Sequence, residues 1–341
     1  MFSRKIKDYY GHGKTPGEIG IEIEMEGHYL PSRFSPSSPW MGTHDGSLRG
    51  ESVEYVLRKP VKREEVAGCL DSLNQVYERK GSALLPSDRC GVHIHINMQQ
   101  SSILHTINTI ILYLMFEDVL VKWCGEDREG NLFCLRASDA EANIMYLQQA
   151  VQNRSFRFGN EVRYASINLS SLDKFGSLEF RALRTPKDMA DIKTWAEILL
   201  AIKDASEAFD YPSDIISSLS GRGPVAFFRD IMKDKSDLLE FNGFDKCILD
   251  GMRRVQYLAM MKQYREKAPV KKLVGFGGGV DDAVGRMDFL RGFPNAPLEQ
   301  PRFQPAPPPR IVDDGPRINN AEQEVQDMDF VIDEEFDEDD L

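Results

Sequence analysis

Across residues 18–29 the chain alternates without a break, with Ile19, Ile21, Ile23 and Met25 on one parity and Gly20, Glu22, Glu24 and Glu26 on the other. A period of two is that of a β-strand, whose successive side chains point to opposite faces. Alternating or β-branched runs predict further strands over 40–43, 52–57, 91–98, 164–169 and 176–182. Helical spacing predicts a helix over 61–80, where Val66, Leu70, Leu73 and Val76 follow Pro60 and the pattern stops at Gly81. Further helices are predicted over 103–123, 139–149, 186–209, 224–232 and 244–264. Strands return after helices of uneven length, with no regular βαβ beat and no internal repeat. The expectation is an α+β domain with a mostly antiparallel sheet flanked by helices.

Composition changes the picture mainly at the C-terminus. With 341 residues and 41% hydrophobic content the chain can bury a full core. The segment 294–316 is proline-rich, and 327–341 contains Asp333-Glu-Glu-Phe-Asp-Glu-Asp-Asp340, neither of which offers enough apolar surface to offset the entropy of ordering. Residues 1–268 are therefore expected to form the folded domain, its last part helical. Residues 269–341 read as a Gly/Pro-rich linker and an acidic disordered tail, the latter a candidate contact for a protein partner. The glycine run Val274-Gly-Phe-Gly-Gly-Gly-Val280 lacks the strand, lysine and serine of a phosphate-binding loop and reads as part of that linker.

A net charge of −12 argues against a nucleic-acid partner, which selects a basic face. Five cysteines lack a paired framework, and the opening Met-Phe-Ser-Arg-Lys-Ile-Lys-Asp carries no apolar leader core. A reduced, cytoplasmic protein is expected. The most apolar stretch, 103–121, includes His105, Asn108, Glu117 and Asp118, so it reads as a buried helix and no membrane association is expected.

Candidate chemistry lies in three clusters that each place ionisable side chains two apart: Glu22 and Glu24, His93 and His95, Glu179 and Arg181. A Glu-x-Glu pair alone is common on solvated strands, and Glu-x-Arg alone is usually a surface ion pair. His-x-His is more telling, since two neutral imidazoles on one strand face can hold a cation. The conjunction on three strands supplies hard oxygen ligands, a nitrogen ligand and a guanidinium clamp, a set suited to metal-nucleotide chemistry. Cys90, at a strand start, reads as a small buried residue rather than a nucleophile. Asp45-Gly46-Ser47 is first a turn signal.

In order along the chain, Gly20-Ile-Glu22-Ile-Glu24, Asp45-Gly-Ser47, Glu54-Tyr-Val, Cys90-Gly-Val-His93-Ile-His95, Arg163-Tyr-Ala-Ser-Ile-Asn168 and Leu178-Glu179-Phe-Arg181 resemble the putative amidoligase family. That family of carboxylate-amine ligases is similar to glutamine synthetase and glutamate-cysteine ligase and is frequent in phages. The resemblance covers roughly residues 20–185. It implies a glutamine-synthetase-like catalytic domain whose curved antiparallel sheet holds Mg2+ (or Mn2+) between acid-bearing strands. It also implies an ATP-dependent reaction in which a substrate carboxylate is phosphorylated and an amine attacks the acyl phosphate to form an amide.

Carried onto this chain, the resemblance implies that Glu22, His93 and Glu179 share the metal nearer the nucleotide phosphates and that Glu24 and Glu54 share a second. Arg181 then grips the transferred phosphoryl group, Arg163 is a second phosphate or carboxylate clamp, and His95 contacts phosphate or substrate; the functional reading of Asp45 is to orient the substrate amine or a metal-bound water. After Glu54 the chain runs Leu57-Arg-Lys-Pro60, where the family commonly has a small hydroxyl residue before proline, and Glu51 is the fallback ligand. Glu26 is read as a solvated strand end. The substrates are expected to be small-molecule or peptide carboxylates and amines, in the cytoplasm of a host cell if the protein is viral. A metal oxygenase of cupin type fits poorly, because no acid follows His95 until Glu117. The rival class is a non-catalytic scaffold or virion-associated interaction protein on the same fold.

Overall fold

The computed structural model describes residues 1–265, apart from 86, 161, 162 and 187; the linker and tail expected over 269–341 lie outside the described residues. The strands are β1 (Ile19–His28), β2 (Trp40–Thr43), β3 (Ser52–Leu57), β4 (Ala83–Leu84), β5 (Gly91–Asn97), β6 (Ile167–Asn168) and β7 (Ser177–Arg184). They run in the order β2-β3-β1-β5-β7-β6, with β4 added at the far end of β1. Every neighbouring pair is antiparallel. The fold is mixed helix and sheet, as the uneven strand and helix spacing implies.

Ten helices accompany the sheet among the described residues: α1 (Ile6–Tyr10), α2 (Val66–Lys80), α3 (Ile103–Cys124), α4 (Ala142–Gln152), α5 (Ser171–Phe175), α6 (Met189–Ser206), α7 (Pro212–Arg222), α8 (Pro224–Met232), α9 (Ser236–Leu239) and α10 (Phe244–Ala259). The apolar parity of the strands faces the core. Ile19, Ile21 and Ile23 of β1, Val92, Ile94 and Ile96 of β5, and Leu178, Phe180 and Ala182 of β7 are all buried. Helices α3 and α6 pack against β7 and β5. Helix α3 is long and apolar enough to cross a membrane, but most of it is buried inside the protein.

Two expectations change. The strand read over 164–169 shrinks to Ile167–Asn168: Arg163 and Tyr164 form a turn and Ala165 makes an isolated bridge to Leu135, while Ser171–Phe175 coils into a helix that ends at Gly176, whose φ of +72° suits glycine. The sequence pattern also passed over α7, which Pro212 opens from its first turn and whose apolar stripe is short, Ile215, Ile216 and Leu219 being buried while Ser217, Ser220 and Arg222 are exposed.

One irregularity positions the site. In the β5–β7 ladder Val92 pairs with Leu183 and Ile94 with Phe180, so Arg181 and Ala182 together stand opposite the single His93. This is a β-bulge on β7, a device that bends a strand and re-aims its side chains.

Candidate functional site: a carboxylate and histidine cluster across four strands

The parity opposite the core carries the ionisable residues, and register brings them together. Glu22 pairs with His93 across β1–β5, Glu24 with Glu54 across β1–β3, Thr43 with Glu54 across β2–β3, His95 with Glu179 across β5–β7, and Asn168 with Glu179 across β6–β7. Gly20 pairs with His95, and a Cβ at Gly20 would sit 3.3 Å from the His95 Cβ, so the bare glycine gives the imidazole its room. Neither parity of β1 is left to solvent: the isoleucines face the core, and Glu24 is 5% exposed on the other face.

His93 is the hub. Its Nδ1 lies 3.2 Å from Glu22 Oε2 and 3.8 Å from Glu179 Oε1, and its Nε2 lies 3.7 Å from Glu24 Oε1. His95 Nε2 lies 3.3 Å from Glu22 Oε1, while its Nδ1 meets Ser177 Oγ at 3.2 Å. Glu179 Oε2 accepts hydrogen bonds from Asn168 Nδ2 and Ser171 Oγ, both at 2.7 Å, and its Oε1 accepts from Arg181. Glu24 Oε2 accepts the Gly91 amide at 2.9 Å. Glu54 accepts from Thr43 Oγ1, and Asp45 accepts the Ser47 amide in an Asx turn, each at 2.7 Å.

These contacts sort the carboxylates by charge. Burial pushes the Glu179 carboxyl up, but the charges of His95, His93 and Arg181 outweigh it and hold the pKa down at about 2. Glu22 is likewise driven well below the usual range: burial opposes ionisation, and hydrogen bonds from His93 and His95 overcome it. Glu24 and Glu54 move the other way, raised chiefly by burial. Asp45 is lowered because its bonds to Ser47 outweigh its desolvation. Burial lowers the His95 pKa, yet its hydrogen bond to Glu22 and the charges of Glu179 and Glu22 give a net rise.

Three groups have ligand atoms that all lie within 4.8 Å of one another: Glu22, Glu54 and His93; Glu22, His95 and Glu179; and Glu24, Asp45 and Glu54. Carboxylates crowded this closely repel unless a cation lies among them, and oxygen-rich sets with one imidazole suit a hard divalent ion. The residues thus fit a metal. The groups depart from the division that the resemblance implies, since Asp45 stands beside Glu24 and Glu54, and His95 stands with Glu22 and Glu179. Glu51 is exposed and turns to His28 at 3.4 Å. Glu26 accepts the Arg49 amide rather than joining the cluster.

The cluster lines a cavity of about 260 Å3, with Arg181, Arg163 and Arg89 on its walls. Arg163 is exposed, its guanidinium lying over the Tyr164 ring at 4.3 Å. Lys174 and Glu22 are shared with a second cavity of about 590 Å3, whose walls include Lys14, Lys59, Phe175, Val56 and Pro60. A third, of about 710 Å3, adjoins the central one at Arg89 and is bounded by Arg184, Asp88, Asp188 and Asp191. Cys90 is buried, its thiol pushed up to about 11 by desolvation, as befits a packing residue.

Sequence reasoning gave no role to Asn168, Ser171 or Thr43, whose short polar side chains orient the carboxylates. Asn168 falls in the strand expected over 164–169 and Ser171 just beyond it; only their proximity to Glu179 in the fold marks them.

The model of a family described as putative amidoligase enzyme matches residues 60–203. No curated protein matches the chain. The family match bears out the resemblance read from the sequence and points to an enzyme of ligase type. It takes in His93, His95, Arg163, Glu179 and Arg181, whereas Glu22, Glu24, Asp45 and Glu54 precede it; the glutamates join the same site through the β1–β5 and β1–β3 pairings and Asp45 through the β2–β3 connection.

Proposed function

We propose, with residues 60–203 taken as an amidoligase segment, that this protein is an ATP- and Mg2+-dependent carboxylate-amine ligase on a glutamine-synthetase-like fold. The observation that carries the reading is the convergence of Glu22, Glu24, Glu54, Glu179, His93 and Arg181 on one cavity of one sheet face, with His95 beside Glu22 on the wall of the adjoining cavity. A scaffold has no use for four glutamate carboxylates held this close, since clustered buried charge costs stability unless a ligand offsets it.

Divalent ions held by the three acidic groups would neutralise the phosphates of the nucleotide. The adjoining cavity suits the nucleotide itself: Phe175, Val56 and Pro60 offer apolar surface to a base, and Lys14, Lys59 and Lys174 offer charge to phosphates. The substrate carboxylate oxygen attacks the γ-phosphorus, the bond to the β,γ-bridging oxygen breaks, and ADP leaves. Arg181 sits at the wall of the central cavity, where a planar guanidinium can follow the equatorial oxygens of the transferred group. Arg163, once off Tyr164, reaches the same space. The amine lone pair then attacks the acyl carbon, phosphate departs with the amine proton, and an amide remains. Asp45, held ionised by Ser47, orients the amine.

The test uses the electrophile. With Mg2+, ATP, hydroxylamine and a panel of amino acids and peptides as carboxylate donors, a hydroxamate and ADP should appear together. AMP in place of ADP would mean adenylation and overturn the chemistry; ATP turnover without hydroxamate for any donor would exclude the acyl phosphate.

A further inference from the structure

We infer that Arg128 is the positioning residue of this site, fixing the β7 bulge and with it the aim of Arg181 and Glu179. The inference rests on the reading of the cluster as a cation and phosphoryl centre. Arg128 lies just beyond α3 and is 1% exposed. It makes no ion pair among the described residues, although the centre next to it is rich in carboxylates. All three guanidinium nitrogens instead face main-chain carbonyls of two strands. Nε donates to Ala182 O at 3.0 Å, Nη2 to Arg181 O at 2.9 Å, and Nη1 approaches Cys90 O at 3.5 Å.

Ala182 and Arg181 are the two residues that the bulge sets opposite His93. An extra residue in a ladder leaves carbonyls without strand partners, and buried carbonyls must find donors. A planar fork meets this need in one piece: it spans both bulge carbonyls and ties them to the entry of β5, where Gly91 donates to Glu24. The Arg181 amide is bound on the other side to Ser166 O at 2.8 Å. The Arg181 main chain is thus held from both sides, and its side chain leaves toward Glu179 and His93. Gly91 makes room for the fork, since a Cβ there would stand 3.0 Å from Arg128 Nη2 and 3.5 Å from Glu24 Oε2.

In the sequence Arg128 sits in Glu126-Asp-Arg128, which reads as solvated surface. A residue that only staples α3 to the sheet would affect stability alone; a positioning residue also sets ligand geometry. The test measures Mn2+ affinity of the full chain by electron paramagnetic resonance, with melting temperature alongside, for wild type, Arg128→Lys, Gly91→Ala and a core control, Leu258→Ala in α10. Lysine keeps the charge but not the fork, and the alanine crowds Nη2 while leaving Arg128 intact. Both variants should bind Mn2+ about tenfold or more weakly, the scale of lost support behind metal ligands. The control should lose melting temperature and keep its affinity. Wild-type affinity in both Arg128→Lys and Gly91→Ala would overturn the inference and leave the metal reading intact, as would an equal loss in the control. Should Arg128→Lys fail to fold, Gly91→Ala decides. No Mn2+ binding by the wild type would remove the metal reading, and the inference with it.

Discussion

Glu179 and Glu117 are both almost wholly buried, and the protein shifts their carboxyl pKa values in opposite directions. Glu179 lies among His93, His95 and Arg181, and its pKa is held at about 2. Glu117, in α3, is pushed up to about 7 by burial: its partners are the Ser166 hydroxyl, the Ala137 amide at 2.7 Å and Arg254 no nearer than 3.9 Å. Depth does not separate them; the neighbours do. An ionised buried carboxylate beside a cavity is a receptor for positive charge, whereas one close to neutral can serve as a hydrogen-bonding strut between a helix and a loop.

The strongest way to break this comparison is to neutralise each in turn. Glu179→Gln and Glu22→Gln should each weaken Mn2+ and Mg2+-ATP binding by more than about 100-fold, because a charged hard ligand is lost. Glu117→Gln should stay within about twofold of wild type in the same titration. Equal losses at the two positions would mean that burial alone sets their roles. Within the site, Arg181→Lys should slow hydroxamate formation by about 100-fold and leave nucleotide affinity within a few-fold, since a point charge replaces a fork needed most in the transition state. Steady-state kinetics with separate ATP titrations would show the split.

Stability against pH sharpens the contrast. Folded Glu117 keeps its proton up to about pH 7, while the unfolded chain releases it near pH 4.3, so the folded state binds more protons between those values. Stability from this group therefore falls as pH rises through that window. Glu117→Gln should flatten the fall by about 2 kcal/mol between pH 5 and pH 8 in urea melts, the amide taking the Ala137 bond with its oxygen and the Ser166 bond with its nitrogen. Glu179 has the opposite sign: its contribution is complete above the unfolded value and is lost as pH falls toward about 2. The smallest effect belongs to Cys90→Ser, which should keep hydroxamate yield within about twofold, because a buried packing thiol takes no part in the transfer.

Strand parity made much of this legible in advance. Glu22, Glu24, His93, His95 and Glu179 lie on regular stretches of strand, where spacing of two already places side chains on one face, and Arg181 follows at the start of the β7 bulge. What stayed hidden depends on pairing across the chain. Asp45 meets Glu24 and Glu54 only because β2 and β3 turn the Asp45 loop over β1, and no local pattern encodes that approach. The grouping of His95 with Glu179 depends on the β5–β7 register. Arg128 and the bulge were invisible for the same reason: a bulge is a property of two strands at once, and a lone arginine among acids gives no sign that it will be buried.

The order of the strands has a consequence for the birth of the protein. β1 brings its glutamates out of the ribosome early, yet the imidazoles that face them lie about seventy positions later and Arg181 still later. Until residue 97 has emerged, Glu22, Glu24 and Glu54 have no imidazole-bearing strand beside them, and the central pairings must close long loops. The nascent N-terminal third is therefore a self-repelling, unfinished sheet with an apolar underside, a state prone to seek other partners. If the cluster holds divalent ions as proposed, free ions in the cell would favour closure of this sheet, and the same ions would act as an assembly factor for the site.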